Sequence, residues 1–327
     1  MKKLMNDAST ILMESLDGFV AAHADIVSLG SEHKFVQRKN LKQGKVALLS
    51  GGGAGHEPLH AGLVGFGMLD AACPGQVFTS PTPDQMMEAT QAVDTGAGTL
   101  FIVKNYEGDV MNFEMAREMC ESPIETVITD DDVAVENSLY TTGRRGVAGT
   151  LVVEKIVGAA AEQGADLKTL KALGNRVNKA TRSMGVALTS CTVPAAGKPT
   201  FDISVTEMEM GVGIHGEPGR RRVPLKTANE IAEEMLAAIA GDMKVKGDCL
   251  LFVNGFGGTP SMELYVIYNA ALAQLAKHGL KPVRSLVGSY VTSLDMAGCS
   301  ITVTKLDDEM AKMWDAPVHT AALRWGM

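Results

Sequence analysis

The sequence predicts an α/β protein of two domains, each with a central sheet flanked by helices. Three observations lead there. The chain has 327 residues, more than one hydrophobic core usually serves. Its 46% hydrophobic content is enough to fill two cores. Short apolar runs alternate with helix-like segments along its whole length.

In the first half, strand-like runs at residues 45–50, 99–104 and 124–129 each end in a polar or glycine-rich loop. Helical patterns at 86–93 and 113–120 lie between them. Ligands of such βα arrangements sit outside the carboxyl ends of the strands, so the loops at 51–56 and 105–109 are expected to face one crevice; ordinary turns are the other reading. Residues 151–183 carry Ala, Glu, Lys and Leu at helical spacing and lead into a strand-like run at 185–189. A boundary near Met184 divides the chain into domains 1–183 and 184–327. The second half adds strand-like runs at 249–254, 284–291 and 300–306 and a helical pattern at 262–278. Residues 219–224, with three consecutive arginines before Pro224, read as an exposed loop.

The formal net charge of -8 and pI near 5.4 give no basic face, which excludes nucleic acid as an expected partner. Cys73, Cys120, Cys191, Cys249 and Cys299 are scattered and never spaced as C-x-x-C. They read as reduced thiols of a cytoplasmic protein rather than a disulfide frame or zinc site. No apolar run reaches about 18 residues and none follows Lys2-Lys3, so neither a membrane span nor a signal peptide is expected.

Two histidines stand in similar surroundings far apart: His56 in Ser50-Gly51-Gly52-Gly53-Ala54-Gly55-His56-Glu57-Pro58, and His215 in Gly213-Ile214-His215-Gly216-Glu217-Pro218-Gly219. A neutral imidazole can take a proton or add to a carbonyl, and flanking glycines let backbone approach a ligand, so the pair suggests one active centre with a job for each. A glycine-rich turn can equally hold a buried structural histidine. The loop at Gly53, Ala54 and Gly55 is not a Walker A loop, because no Gly-Lys-Ser/Thr follows.

His56-Glu57-Pro58-Leu59-His60 also matches H-E-x-x-H, but Pro58 and the glycines upstream are incompatible with two ligands on one regular helix. No metal is assigned, and His60 reads as a structural helix residue. Lys104 and Asp109 supply a cation and a carboxylate where a polyol could be held, or are solvated loop charges. Asp130-Asp131-Asp132 reads as an acidic cap on a helix at 132–139 rather than a magnesium site. Arg144-Arg145 and Arg220-Arg221-Arg222 read as solvated surface. His23, His33, His278 and His319 have no reactive context.

These segments, with Ala72-Cys73-Pro74-Gly75, Val103-Lys104-Asn105-Tyr106, Gly143-Arg144-Arg145-Gly146 and Trp314-Asp315-Ala316-Pro317, make the chain resemble the substrate-binding K subunit family of dihydroxyacetone kinases, nearly end to end. The resemblance implies that His215 holds the ketone as a hemiaminal and that Asp109 acts with His56 in catalysis. It also implies substrate contacts at Gly53, His56, Lys104, Asp109 and His215; Ala54 and Gly55, which carry no large side chain and let the loop backbone approach a ligand, are expected to line the substrate with them. This chain shows no nucleotide site of its own. The resemblance implies ADP and Mg on a separate L subunit, recharged by a phosphotransferase-system donor protein, and a homodimer of this subunit; the end at Met327 suggests the separate-subunit form. A kinase for a four-carbon ketose such as erythrulose, raised by Phe256 where leucine is expected, and a non-catalytic dihydroxyacetone-binding coactivator are the alternatives.

Overall fold

A computed structural model describes residues 2–134, 143–217 and 219–327. The chain opens with helix α1 (Ile11–Ala22) and strands β1 (Val27–Leu29), β2 (Val36–Arg38), β3 (Ala47–Ala54), β4 (Gly65–Phe66) and β5 (Ala71–Val77). Alternating elements follow: α2 (Pro83–Val93), β6 (Thr99–Lys104), α3 (Glu107–Met119) and β7 (Ile124–Thr129), then helices α4 (Gly149–Glu162) and α5 (Leu167–Lys179). The rest comprises β8 (Thr181–Ala187), β9 (Glu207–Met210), β10 (Arg221–Pro224), α6 (Ala228–Met243), β11 (Gly247–Gly255), α7 (Ser261–Lys277), β12 (Leu280–Gly288), β13 (Gly298–Lys305), α8 (Asp308–Asp315), β14 (Val318–Thr320) and β15 (Arg324–Trp325).

Two six-stranded sheets flanked by helices make this an α/β protein. The first runs β1-β2-β5-β3-β6-β7, with β5, β3, β6 and β7 parallel. Its central strand β3 is buried at every position, the pattern of a strand covered on both faces. From β3 the chain goes to β5 on one side and then crosses to β6 on the other, so the reversal of strand order opens a crevice at the carboxyl ends of β3 and β6. The second sheet runs β10-β9-β8-β13-β11-β12, antiparallel except for β11 beside β12. A small third sheet, β15-β14-β4, fastens the end of the chain to its beginning.

Helix α4 ties the halves together. Leu151, Val152, Val153, Ile156 and Val157 are all fully buried, in one apolar cluster with Leu48 and Ile102 of the first sheet and Leu250 and Phe252 of the second. Each such side chain contributes roughly 1.5–3 kcal/mol on burial.

Several boundaries differ from expectation for local reasons. The helical stretch at 151–183 is two helices and the start of a strand: Gly164, at φ +88°, turns the chain, and the Asp166 carboxylate caps α5 by accepting from Thr169 N. Thr181 and Ser183 then lie in β8, their hydroxyls paired with Thr304 and Thr302 of β13. Helix α2 begins at Pro83, suited to a first turn, with Gln85 reaching back to Thr82 N. Helix α3 begins at Glu107, so Asp109 lies in its first turn rather than in a loop. Residues 221–224 form strand β10, though the side chains of Arg220, Arg221 and Arg222 are exposed. The helix expected at 132–139 lies largely outside the described residues.

Candidate active site

Strand β3 ends at Ala54 and delivers His56 over the crevice. The His56 ring is 1% exposed. Its Nδ1 lies 2.8 Å from the Thr292 carbonyl, which can only accept, so the proton sits on Nδ1 and the lone pair on Nε2. That lone pair faces His215 Nε2 at 3.1 Å. Since one of the two must donate, His215 carries its proton on Nε2; its Nδ1 is buried without a partner. Phe78 stacks on His56 with ring centroids 5.1 Å apart, and Tyr106 meets the His215 ring edge at 4.3 Å.

Burial, then the charges of Lys104 and Arg145, lowers His215 to about 3. Burial, then His215 and Lys104, holds His56 well below its ordinary value. Both rings are therefore neutral at pH 7, the form that can accept a proton or attack carbon.

Strand β6 ends in Lys104, fully buried, and α3 sets Asp109 beside it. Lys104 Nζ donates to Gly51 O (3.2 Å) and His60 Nε2 (3.0 Å) and stands 3.4 Å from Asp109 Oδ2. Ser80 Oγ donates to the other oxygen of Asp109. Gly52 makes room for this cluster: a Cβ there would stand 2.2 Å from Lys104 Nζ. In the loop itself, Gly55 N donates to both oxygens of Glu57 (3.0 Å each), Ala54 O accepts from Phe78 N, and Gly53 lies against Thr79 N. Gly53, Ala54, Gly55, His56, Lys104, Asp109 and His215 thus share one neighbourhood.

The His215 segment repeats the Glu57 device. Glu217 accepts from His215 N at 2.9 Å, two residues back, and from Arg145 Nη1 at 3.0 Å. Arg145 also donates to Asp132 Oδ2 and Gly211 O. It is 2% exposed, which corrects its reading as solvated surface; three acceptors compensate the buried charge. Asp131 is likewise buried, accepting from Val147 N, Gly149 N and Ser183 Oγ.

His60 is not on an α-helix. It precedes a short 3-10 turn and sits between Lys104 and the buried Glu154 of α4, 2.7 Å away. Neither Glu154 nor this role of His60 was legible in the chain, because the only signal was a carboxylate inside an apolar helix. No group of three or more His, Cys, Asp or Glu among the described residues is arranged to hold a metal ion. Among the described residues no helix is long and apolar enough to cross a membrane.

The Dak1 domain family model matches residues 17–322. The dihydroxyacetone-binding subunit of the PEP-dependent dihydroxyacetone kinase of Escherichia coli is 47% identical, covering 100% of both chains. The corresponding subunit of the PTS-dependent dihydroxyacetone kinase 1 of Listeria innocua is 49% identical over 98% of this chain and 100% of its own. Among solved structures, a dihydroxyacetone kinase operon co-activator superposes with TM-score 0.89 at 30% identity, covering 94% of this chain and 96% of its own. The dihydroxyacetone kinase of C. freundii does so with TM-score 0.88 at 33% identity, covering 98% of this chain and 60% of its own.

Proposed function

The chain belongs to the Dak1 domain family, and from that footing we propose that it binds dihydroxyacetone and presents it for phosphorylation. One observation carries the reading: two neutral imidazoles, His56 and His215, meet at 3.1 Å in the neighbourhood of the Lys104–Asp109 pair.

His215 adds through Nε2 to the ketone carbon. Its Nε2 proton passes to His56 Nε2, the nitrogen–carbon bond forms, and the carbonyl π pair becomes an alkoxide that takes the proton back. The product is a neutral hemiaminal, and His56 is again a free base. Glycerol offers the same hydroxyls but no carbonyl, so attachment selects for the ketone. Fixing the sugar at its central carbon aims a primary hydroxyl, an orientation effect on the order of 7 kcal/mol in favourable cases. His56 then accepts the hydroxyl proton as phosphate arrives, Asp109 assists it, and Lys104 with the loop from Gly53 to Gly55 positions the substrate.

Phosphoryl transfer needs cationic counter-charge around the donor. We assign that to a separate L subunit carrying ADP and Mg, recharged by a phosphotransferase-system protein; the match to dihydroxyacetone-binding subunits over their full length supports this division. A homodimer of this subunit in the cytoplasm, with domains at 1–183 and 184–327, belongs to the same proposal. A similar structure is that of a co-activator, so shape alone does not separate kinase from sensor. His56 and Asp109 near His215 favour turnover. The test is phosphate transfer from phosphoenolpyruvate to dihydroxyacetone with the partner subunits added and omitted: transfer only in their presence is expected, and none in either case overturns the reading.

A further inference from the structure

Glu154 is a carboxyl group at 0% exposure in a helix whose neighbouring positions are buried and mostly apolar, a placement unfavourable to its charged form unless something specific is gained. It touches His60 and Ser50. The Lys104 ammonium can only donate, so His60 Nε2, 3.0 Å away, must accept; the His60 proton is therefore on Nδ1 and points to Glu154 Oε1 at 2.7 Å. Ser50 Oγ, 3.1 Å from the same Nδ1, has Ile102 O and the Glu154 carboxyl as acceptors for its own hydrogen, so it does not compete for the His60 proton. One direction of donation thus runs from Lys104 inward to His60, and from His60 to Glu154.

We infer that His60, backed by Glu154, is a positioning residue for Lys104: it and Gly51 O hold two of the three ammonium hydrogens, leaving the third for the substrate. That third hydrogen faces Asp109 Oδ2 at 3.4 Å, the longest of the three contacts and the one a sugar oxygen can replace. The inference rests on the reading of Lys104 as a substrate contact. Burial lowers His60 well below its ordinary value, before the charge of Lys104, and so keeps the imidazole neutral with its lone pair available. Burial raises Glu154 to about 8 against the pull of Lys104, and either form of the carboxyl leaves Oε1 able to accept. His56 is the other titratable ring felt by His60.

Two measurements decide it. Nitrogen-15 spectra of histidine-labelled protein, with the His60 signal assigned by its loss in His60→Gln, should show Nδ1 protonated and Nε2 accepting; an Nε2-protonated ring overturns the inference whether or not the protein turns over. In steady-state phosphorylation of dihydroxyacetone with the donor subunits, His60→Leu should lower kcat by about 10- to 100-fold, the scale of a misplaced group. His60→Gln, which keeps an acceptor near the Nε2 position, should recover most of that loss. Equal losses in two folded variants, or no loss in either, mean a packing role only. If His60→Leu does not fold, the tautomer and His60→Gln still decide. A wild-type protein without transfer to dihydroxyacetone defeats the functional reading instead, and the spectra continue to test the pair.

Discussion

The Nε2 atoms of His56 and His215 stand 3.1 Å apart, although 159 positions separate them in the chain. Thr292 O fixes the His56 tautomer, and that tautomer sets which ring donates. In the proposed mechanism the two rings pass a proton between them, and separate removal should have separate effects. His215→Ala should abolish the covalent complex and weaken discrimination against glycerol. His56→Asn should leave the complex at equilibrium, formed more slowly, while turnover falls about 10²- to 10⁴-fold, the usual contribution of a general base. Intact-mass measurements paired with steady-state rates check both halves.

Gly52→Ala should cost activity more than stability. The new methyl would meet Lys104 Nζ at 2.2 Å in a site where the lysine is fully buried. The ammonium must move, and we expect kcat to drop about tenfold or more, as for other small displacements of a positioned group. Rates compared with the thermal midpoint of the same preparation test this.

Arg145→Met leaves the buried Asp132 and the half-buried Glu217 without their shared cation. Breaking such a pair costs about 3–5 kcal/mol, and a loosened Glu217 also releases its hold on His215 N. Urea denaturation should show the loss in stability, and the yield of covalent complex in the remaining folded protein should fall. Unchanged stability would mean that the charges find other partners.

Ketone attachment should show no inflection near pH 6.5. Protonating His56 removes the lone pair that accepts the His215 proton, and protonating His215 makes its ring a cation that cannot attack; burial depresses both rings, His215 to about 3, so the loss is displaced to lower pH. The fraction of covalent complex measured from pH 8 to pH 5.5 should stay level. A midpoint near 6.5 would mean a solvated, ordinary imidazole.

Three- and four-carbon ketoses should be separated by rate. Phe256 is 1% exposed and packs in the core near Gly185. Its ring fills core space beside Gly185 rather than the neighbourhood of His56 and His215, so the leucine-to-phenylalanine difference gives no reason to favour the longer sugar; dihydroxyacetone should be turned over faster than erythrulose in side-by-side assays, and the reverse order would assign the chain to the longer sugar.

Periodic and punctuated features were legible in the chain. Strands β6 and β7 fall at the expected residues because their apolar runs are bounded by polar turns. The matched glycine-histidine segments pointed to convergence of His56 and His215 because two unusual backbones with the same chemistry are best explained by one ligand. What was not legible depends on distant burial. Arg145 looks like any arginine beside another until Asp132 and Glu217 close around it. His60 followed a proline and suggested helix, whereas its place is set by Lys104 and Glu154, 44 and 94 positions away. Asp109 seemed a loop charge because the first turn of α3 is polar, and its acidic residues in fact suit a helix start.

The most direct test is the carbon-13 spectrum of dihydroxyacetone labelled at its central carbon, bound to protein carrying nitrogen-15 histidine. The expected result is a bound signal moved from the carbonyl region to that of saturated carbon, with a one-bond coupling to nitrogen that vanishes in His215→Ala. A bound signal that stays a carbonyl, or that becomes saturated without coupling to nitrogen, contradicts capture of the ketone by His215.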